Sequence, residues 1–230
     1  MKDFFAAVKD RRTYYGISKA SPVSDDRIKE IVHFAVKHVP SAFNSQSGRA
    51  VLLLGKSSDE FWSMVKESLR KIVPADKFAP TEEKINGFGS GYGTVLFFED
   101  SRPVKNLQEQ FPSYAAHFPV WSDHSSGMLQ YIVWAGLESE GFGASLQHYA
   151  PVVEDDVRKK WNIPAEWSLI AQMPSASPLP APVKRSFSPW KTGSGSGNDS
   201  TEAMIQSPAS LPASPSEDML IKISEVPDCN

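Results

Sequence analysis

Cysteine is almost missing from this chain: Cys229 is the single one in 230 residues. That excludes an internal disulfide and a thiolate zinc site. Neither sign of charge is in excess, with 24 Lys+Arg against 27 Asp+Glu, which argues against the broad basic face that duplex nucleic acid requires. No apolar run approaches the ~20 residues needed to cross a bilayer. Met1-Lys2-Asp3-Phe4-Phe5 has neither the apolar stretch nor the small-residue cleavage site of a secretory signal. The expectation is a protein of a reducing compartment, cytoplasmic with the nucleus as a second location, with no nucleic-acid or membrane partner. Familiar catalytic signatures are also missing. There is no phosphate-binding G-x-x-x-x-G-K-[ST] loop and no G-x-S-x-G nucleophile elbow. The five histidines show no metal spacing, so no metal site is expected. The glycines of Gly87-Phe-Gly89-Ser-Gly91-Tyr-Gly93 precede a strand rather than link a strand to a helix, so they are not a dinucleotide fingerprint. An enzyme with this inventory leaves the hard chemistry to a cofactor.

What is present divides the chain in two. Apolar periodicity runs to about Pro174. Beyond it come Pro-rich residues, a short basic and aromatic patch at Lys184-Arg185-Ser186-Phe187, and Gly/Ser/Pro-rich sequence. Such sequence buries too little apolar surface to offset the entropy of ordering it. The expected organisation is a folded domain over 1–187 and a disordered tail over 188–230. Within the domain, Phe4, Phe5 and Val8 suit a first helix ending near Arg11-Arg12. Ser24 before Asp25-Asp26 is an N-cap, and Ile28, Ile31, Val32, Ala35 and Val36 follow at helical spacing. Further helices are expected after Ser57 or Ser58, over Trp121–Leu137 and over Val153–Trp161. Continuous apolar runs at Ala50–Leu54, Thr94–Phe98, Ala144–Gln147 and Trp167–Met173 read as buried strands. Apolar strands between amphipathic helices mean a sheet covered on both faces, an α+β or three-layer α/β fold.

Three segments, taken in order, resemble the FMN-dependent nitroreductase family over about residues 2–187. They are Arg11-Arg12-Thr13, Pro40-Ser41-Ala42-Phe43-Asn44-Ser45-Gln46-Ser47, and Gly141-Phe142-Gly143-Ala144-Ser145-Leu146-Gln147-His148-Tyr149. The stretch Gly91–Asp100, with Phe97-Phe98-Glu99-Asp100, is similar to a compact fungal and bacterial branch linked to lipid signalling and oxidative or nitrosative stress. The resemblance implies a nitroreductase-like mixed sheet, a homodimer and bound FMN. Arg11, Arg12 and Thr13 would meet the flavin phosphate and ribityl chain, joined by Lys184 and Arg185. Ser41, Asn44 and Gln46 would approach the flavin across the dimer interface. Gln147, His148 and Tyr149 would lie beside the ring. Phe43 and Trp121 would wall the substrate face. The implied activity takes electrons from NAD(P)H through flavin N5 to nitroaromatic or quinone-type acceptors, in an oxidative stress response. The alternative is a flavin-binding regulator of lipid signalling or stress that does not turn over.

The residue chemistry fits that assignment and also fits plainer ones. Arginines offer planar multidonor partners for phosphate, yet Arg11-Arg12 at a helix C-terminus is favoured by the helix dipole alone. Asn44 and Gln46 donate and accept, as ribityl hydroxyls and a pyrimidine edge require, yet Ser41-x-x-Asn44 also reads as a self-bonded loop. Gln147 on a strand reads equally as a buried, satisfied amide, His148 and Tyr149 as a pocket rim, and Arg49 as the opening of a strand. The sequence departs from the family pattern after Phe187, where Gly/Ser/Pro residues replace a basic, aromatic extension, and at Ser175-Ala176-Ser177, where a glycine-containing loop is typical.

Overall fold

The computed structural model describes residues 1–179 and the backbone of 219–223. Seven α-helices and five strands form there. They are α1 (Phe4–Asp10), α2 (Asp25–His38), β1 (Gly48–Leu54), α3 (Lys56–Arg70), α4 (Ala79–Phe88), β2 (Gly93–Asp100), α5 (Ser101–Gln110), α6 (Phe118–Ser139), β3 (Gly143–Ala144), α7 (Ala150–Trp161), β4 (Trp167–Ala176) and β5 (Met219–Ile223). The sheet order is β3-β4-β2-β1-β5. Its strand pairs are antiparallel. The mixed character comes from one parallel bridge, Thr13 to Ala144.

Alternation along the strands explains the three layers. Leu52, Leu54, Val95, Phe97, Ala171 and Met173 face Ile28, Val32 and Ala35 of α2 and Leu129, Val133 and Leu137 of α6. Val51, Leu53, Leu96, Phe98 and Leu169 face the other way, onto Phe61, Trp62 and Val65 of α3, Phe88 of α4 and Val157 and Trp161 of α7. A strand covered on both faces has no polar side to alternate with, so it reads as a continuous apolar run. In the second core the Trp62 indole N–H finds Thr94 Oγ1 at 2.9 Å, and Ser58 shares that oxygen at 2.7 Å.

Several expectations shift in the structure. The Ser24 cap forms as read, accepting from the Arg27 amide. By contrast, α3 starts at Lys56 behind Gly55, whose φ of 66° only glycine adopts easily. Ser58 turns into the core instead of capping. Of the third expected strand, Ala144–Gln147, only Ala144 pairs regularly, joined by Gly143 before it, and Gln147 makes an isolated bridge to Gln172. Helices α4 and α5 were not expected: α5 is short, polar and buries only Val104, and α4 opens on Ala79-Pro80. β5 lies within the segment read as tail, and its backbone pairs with β1, Ala50 opposite Ile223 and Leu54 opposite Met219. Among the described residues no helix is long and apolar enough to cross a membrane.

Candidate functional site

The loop between α2 and β1 is held in an unusual shape. Phe43, Asn44 and Gln46 all have positive φ, at 54°, 50° and 46°. Each such non-glycine residue costs roughly 1–3 kcal/mol and persists only where its surroundings over-determine it. The surroundings are visible. Ser41 Oγ accepts the Gln46 amide at 2.9 Å, and the Ser41 carbonyl accepts the Asn44 amide at 3.0 Å. The Arg49 guanidinium donates to the Gln46 carbonyl at 2.6 Å and the Gly48 carbonyl at 3.0 Å. Arg49 also pairs with buried Asp100 at 3.1 Å. Burial alone would lift the Asp100 carboxyl, but hydrogen bonds from Arg102 and the Arg49 charge outweigh it and hold the group below its ordinary value. The Phe43 ring lies nearly parallel to Trp121, 11° between planes at 6.0 Å, and also meets Phe118, Phe111 and Tyr114. Phe43, Asn44 and Gln46 are exposed. The lip of this loop is therefore an open aromatic surface flanked by two amides.

The N-terminal candidates gather elsewhere. The Arg11 guanidinium sits over the Trp134 ring at 4.3 Å. Arg12 Nη1 donates to the carbonyls of Lys9 at 2.6 Å and Arg11 at 2.7 Å, closing the end of α1. Thr13 bridges to Ala144, and the Tyr14 amide donates to the Ala144 carbonyl at 3.1 Å. This approach requires Gly143, where a Cβ would come within 2.7 Å of the Tyr14 ring. Gln147 is the buried amide of the plainer reading: its Nε2 donates to Ser145 Oγ at 3.1 Å, and its backbone pairs with Gln172 in both directions. The Tyr149 ring turns into the second core against Trp62 and Phe88, and that burial lifts its phenol above the ordinary value. The Tyr149 amide is held by Gln172 Oε1 at 2.7 Å. His148 is exposed. Lys184 and Arg185 lie outside the described residues.

The two groups thus occupy opposite ends of α6. The loop stacks on Trp121 and Arg11 on Trp134, thirteen residues apart, about 20 Å at 1.5 Å per residue. Between them runs an outward stripe of α6, exposed Val120, His124, Gly127, Met128 and Tyr131; helical spacing reads Met128 as facing inward with Leu129 and Val133, and the structure turns it outward instead. It continues over Phe34 and His38 of α2 as an apolar groove of about 590 Å³. A second groove, about 870 Å³, lies between α1, α2 and α6, lined by Phe4, Ala7, Ile31, Phe34 and Ile132. The signal of the first groove in the sequence is the helical spacing of His124, Met128 and Tyr131, a second stripe beside Leu129, Val133 and Leu137. Phe4 and Phe5 lie on the expected first helix but are exposed, and only Ala7 of α1 is buried.

Known proteins share this architecture. The sequence profile described as "Nitroreductase family" matches residues 8–175. Nitroreductase FRM2 of Saccharomyces cerevisiae is 33% identical over 187 residues, covering 80% of this chain and 93% of that protein. Nitroreductase CinD from Lactococcus lactis, solved in complex with nicotinic acid, superposes with a TM-score of 0.75 at 38% identity, covering 81% of this chain and 95% of CinD; it has also been solved with chloramphenicol and with 4-nitrophenol. A Desulfovibrio desulfuricans protein solved with FMN shares the fold at a TM-score of 0.56 and 14% identity, covering 81% of this chain and 93% of its own. A profile over most of the folded domain and a one-third-identical relative of matching length leave one assignment: the chain belongs to the nitroreductase family, whose members are typically flavin-dependent oxidoreductases.

Proposed function

We propose that this chain is an FMN-dependent oxidoreductase that works as a homodimer and passes electrons from NAD(P)H to nitroaromatic or quinone-type acceptors. The observation that carries the reading is the division of the candidate residues between the two ends of α6. The midpoint of Trp121 and Trp134 falls between Gly127 and Met128, both exposed. A Cβ at Gly127 would meet nothing within 4 Å, so this point is open to close approach. A two-fold interface puts the same patch of each copy against the other. Crossing two copies of α6 antiparallel at Gly127–Met128 lays the Trp121 end of one on the Trp134 end of the other. Asn44 and Gln46 of one copy then face Arg11, Arg12 and Thr13 of the second, which one chain alone does not achieve. The apolar grooves beside α6 supply the surface such a contact buries.

The residues at each end suit the cofactor. Arg12 forms no ion pair among the described residues and stands beside the Thr13 hydroxyl, a cation and a donor for a phosphate. Asn44 and Gln46 are pre-set by a strained loop, so their amides lose little freedom on meeting ribityl hydroxyls or a pyrimidine edge. The Gln147 and Tyr149 amides are taken by Gln172, which leaves the peptide N–H of exposed His148 between them, near the sheet edge that carries Thr13, to face a ring edge. When bound, FMN supplies the hydride and single-electron chemistry that no side chain here offers. Phe43 and Trp121, with Phe111 and Tyr114, offer flat surfaces to a planar acceptor and exclude water from it. The aromatic compounds found with CinD have the shape this surface would take. A role in the oxidative stress response, in the cytoplasm and nucleus, rests on the resemblance alone.

The test is spectroscopic. Purified protein reconstituted with FMN is expected to show flavin absorbance after desalting and to oxidise NADH or NADPH when 4-nitrophenol or a quinone is added. Protein that retains no flavin overturns the reading. Protein that retains flavin without turnover leaves the regulator in its place.

A further inference from the structure

Glu99 closes β2 on the face covered by α6, with 7% of its surface exposed. Its Oε2 accepts the Ser122 hydroxyl at 2.5 Å, while Oε1 is buried without a hydrogen-bond partner. Fully buried Ser47 places its oxygen 3.5 Å from that of Ser122, and Ser45 stands 3.5 Å from Ser47. On its other side Oε1 lies against the first residue of β1: a Cβ at Gly48 would be 3.7 Å from it. Ser45 and Ser47 belong to the strained loop, Gly48 follows it, and Ser122 neighbours the tryptophan on which Phe43 stacks. One buried carboxyl therefore touches both sides of the joint between the loop and α6. Nothing in the flavin reading above uses it.

Ser41 and Arg49 fix the loop onto itself and onto β1. Neither ties it to α6. We propose that Glu99 is a positioning residue: through Ser122 and Ser47 it clasps loop 41–47 to α6 and so holds Phe43, Asn44 and Gln46 in place. The step from loop to flavin rests on the proposed function; the clasp itself does not. Its chemistry makes the clasp sensitive to pH. Burial lifts the Glu99 carboxyl above its ordinary value; the Ser122 and Ser47 hydroxyls and Arg49 on β1 oppose this, and Asp123 on α6 adds to it. From β4 the residue in register is Ser168, which does not titrate. A neutral Glu99 suits its surroundings, whereas ionisation leaves a buried charge whose nearest cation, Arg49, is already bonded to Asp100 and two carbonyls. The loop is therefore tightest while Glu99 holds its proton and loosens as pH rises through its range.

The experiment is amide hydrogen exchange of the full chain without flavin, across pH and corrected for intrinsic rates, read at Asn44, Ser45 and Gln46. In the wild type, protection there is expected to fall as pH rises, while β2 keeps its protection. Glu99→Gln, neutral and of the same shape, is expected to hold the loop at its low-pH level throughout. Glu99→Ala is expected to lose roughly tenfold in loop protection at every pH, and FMN affinity by a similar factor, the step that 1.4 kcal/mol represents. Should Glu99→Ala fail to fold, Ser122→Ala, which removes one hydroxyl, is expected to give a smaller loss at the same amides. Loop exchange that is identical in wild type, Gln and Ser122→Ala proteins at all pH values overturns the clasp. A wild type that shows the pH effect but binds no FMN overturns the proposed function and leaves the clasp standing.

Discussion

The inner and outer faces of α6 carry similar side chains and meet different fates. Inward, Leu129, Val133 and Leu137 are buried against the sheet and α2. Outward, Val120, Met128 and Tyr131 are exposed. Apolar residues on two sides of a helix call for cover on both, and the described residues cover only the inner side of this one. In the proposed dimer, folding of the single chain and assembly of the site draw on different residues of the same helix, so the two can be broken separately.

The largest effect is expected on the inner face. Leu137→Ala should cost about 2–5 kcal/mol by opening a cavity, read as a lower urea midpoint with unchanged slope. On the outer face, Met128→Glu should leave that midpoint nearly unchanged once the protein is monomeric. It should weaken self-association by roughly 100-fold or more, because a two-fold contact carries the new charge twice. Sedimentation checks this, and an unaltered dimer would remove α6 from the interface. The two ends of the helix differ next. Arg11→Ala together with Arg12→Ala should weaken FMN binding by ~2–4 kcal/mol if both make charge-assisted bonds. Arg11→Ala alone should cost stability by about 0.5–2 kcal/mol, the range for a half-buried cation on an indole. Equal FMN affinity in the double variant would take both arginines out of the phosphate site. The smallest effect belongs to Asp100. Its carboxyl is held below the ordinary value, so its contribution is present above the usual carboxylate range and is lost as pH falls through the folded value. Asp100→Asn should flatten that acid limb, as thermal melts against pH would show.

How much was legible can be followed residue by residue. β1, β2 and β4 were visible because a strand buried on both faces is an unbroken apolar run, and α2 because its period and its Ser24 cap agree. Helix α5 was invisible because Val104 is its only buried residue; what starts it is the Asp100 side chain, which accepts the Arg102 amide. The motif residues were picked out by resemblance, but their side chains divide in a way no motif records. Phe43 and Trp121 do meet. Arg12 caps its own helix, Gln147 bonds to Ser145, and Tyr149 turns into the core between Trp62 and Phe88. Glu99 was noticed only as part of a run of residues, since nothing in the order Phe98-Glu99-Asp100 says that one carboxyl meets two arginines and the other only hydroxyls.

From the sequence by itself came the layer architecture, because it depends on periodicity, which is a local property, and the family, because three segments in order resemble its pattern. Only the tertiary structure decided that the segments lie at opposite ends of one helix, that the loop between α2 and β1 is strained and clasped, and which face of α6 remains uncovered. Those depend on distances between residues far apart in the chain, and such distances exist only once the cores on both sides of the sheet have closed.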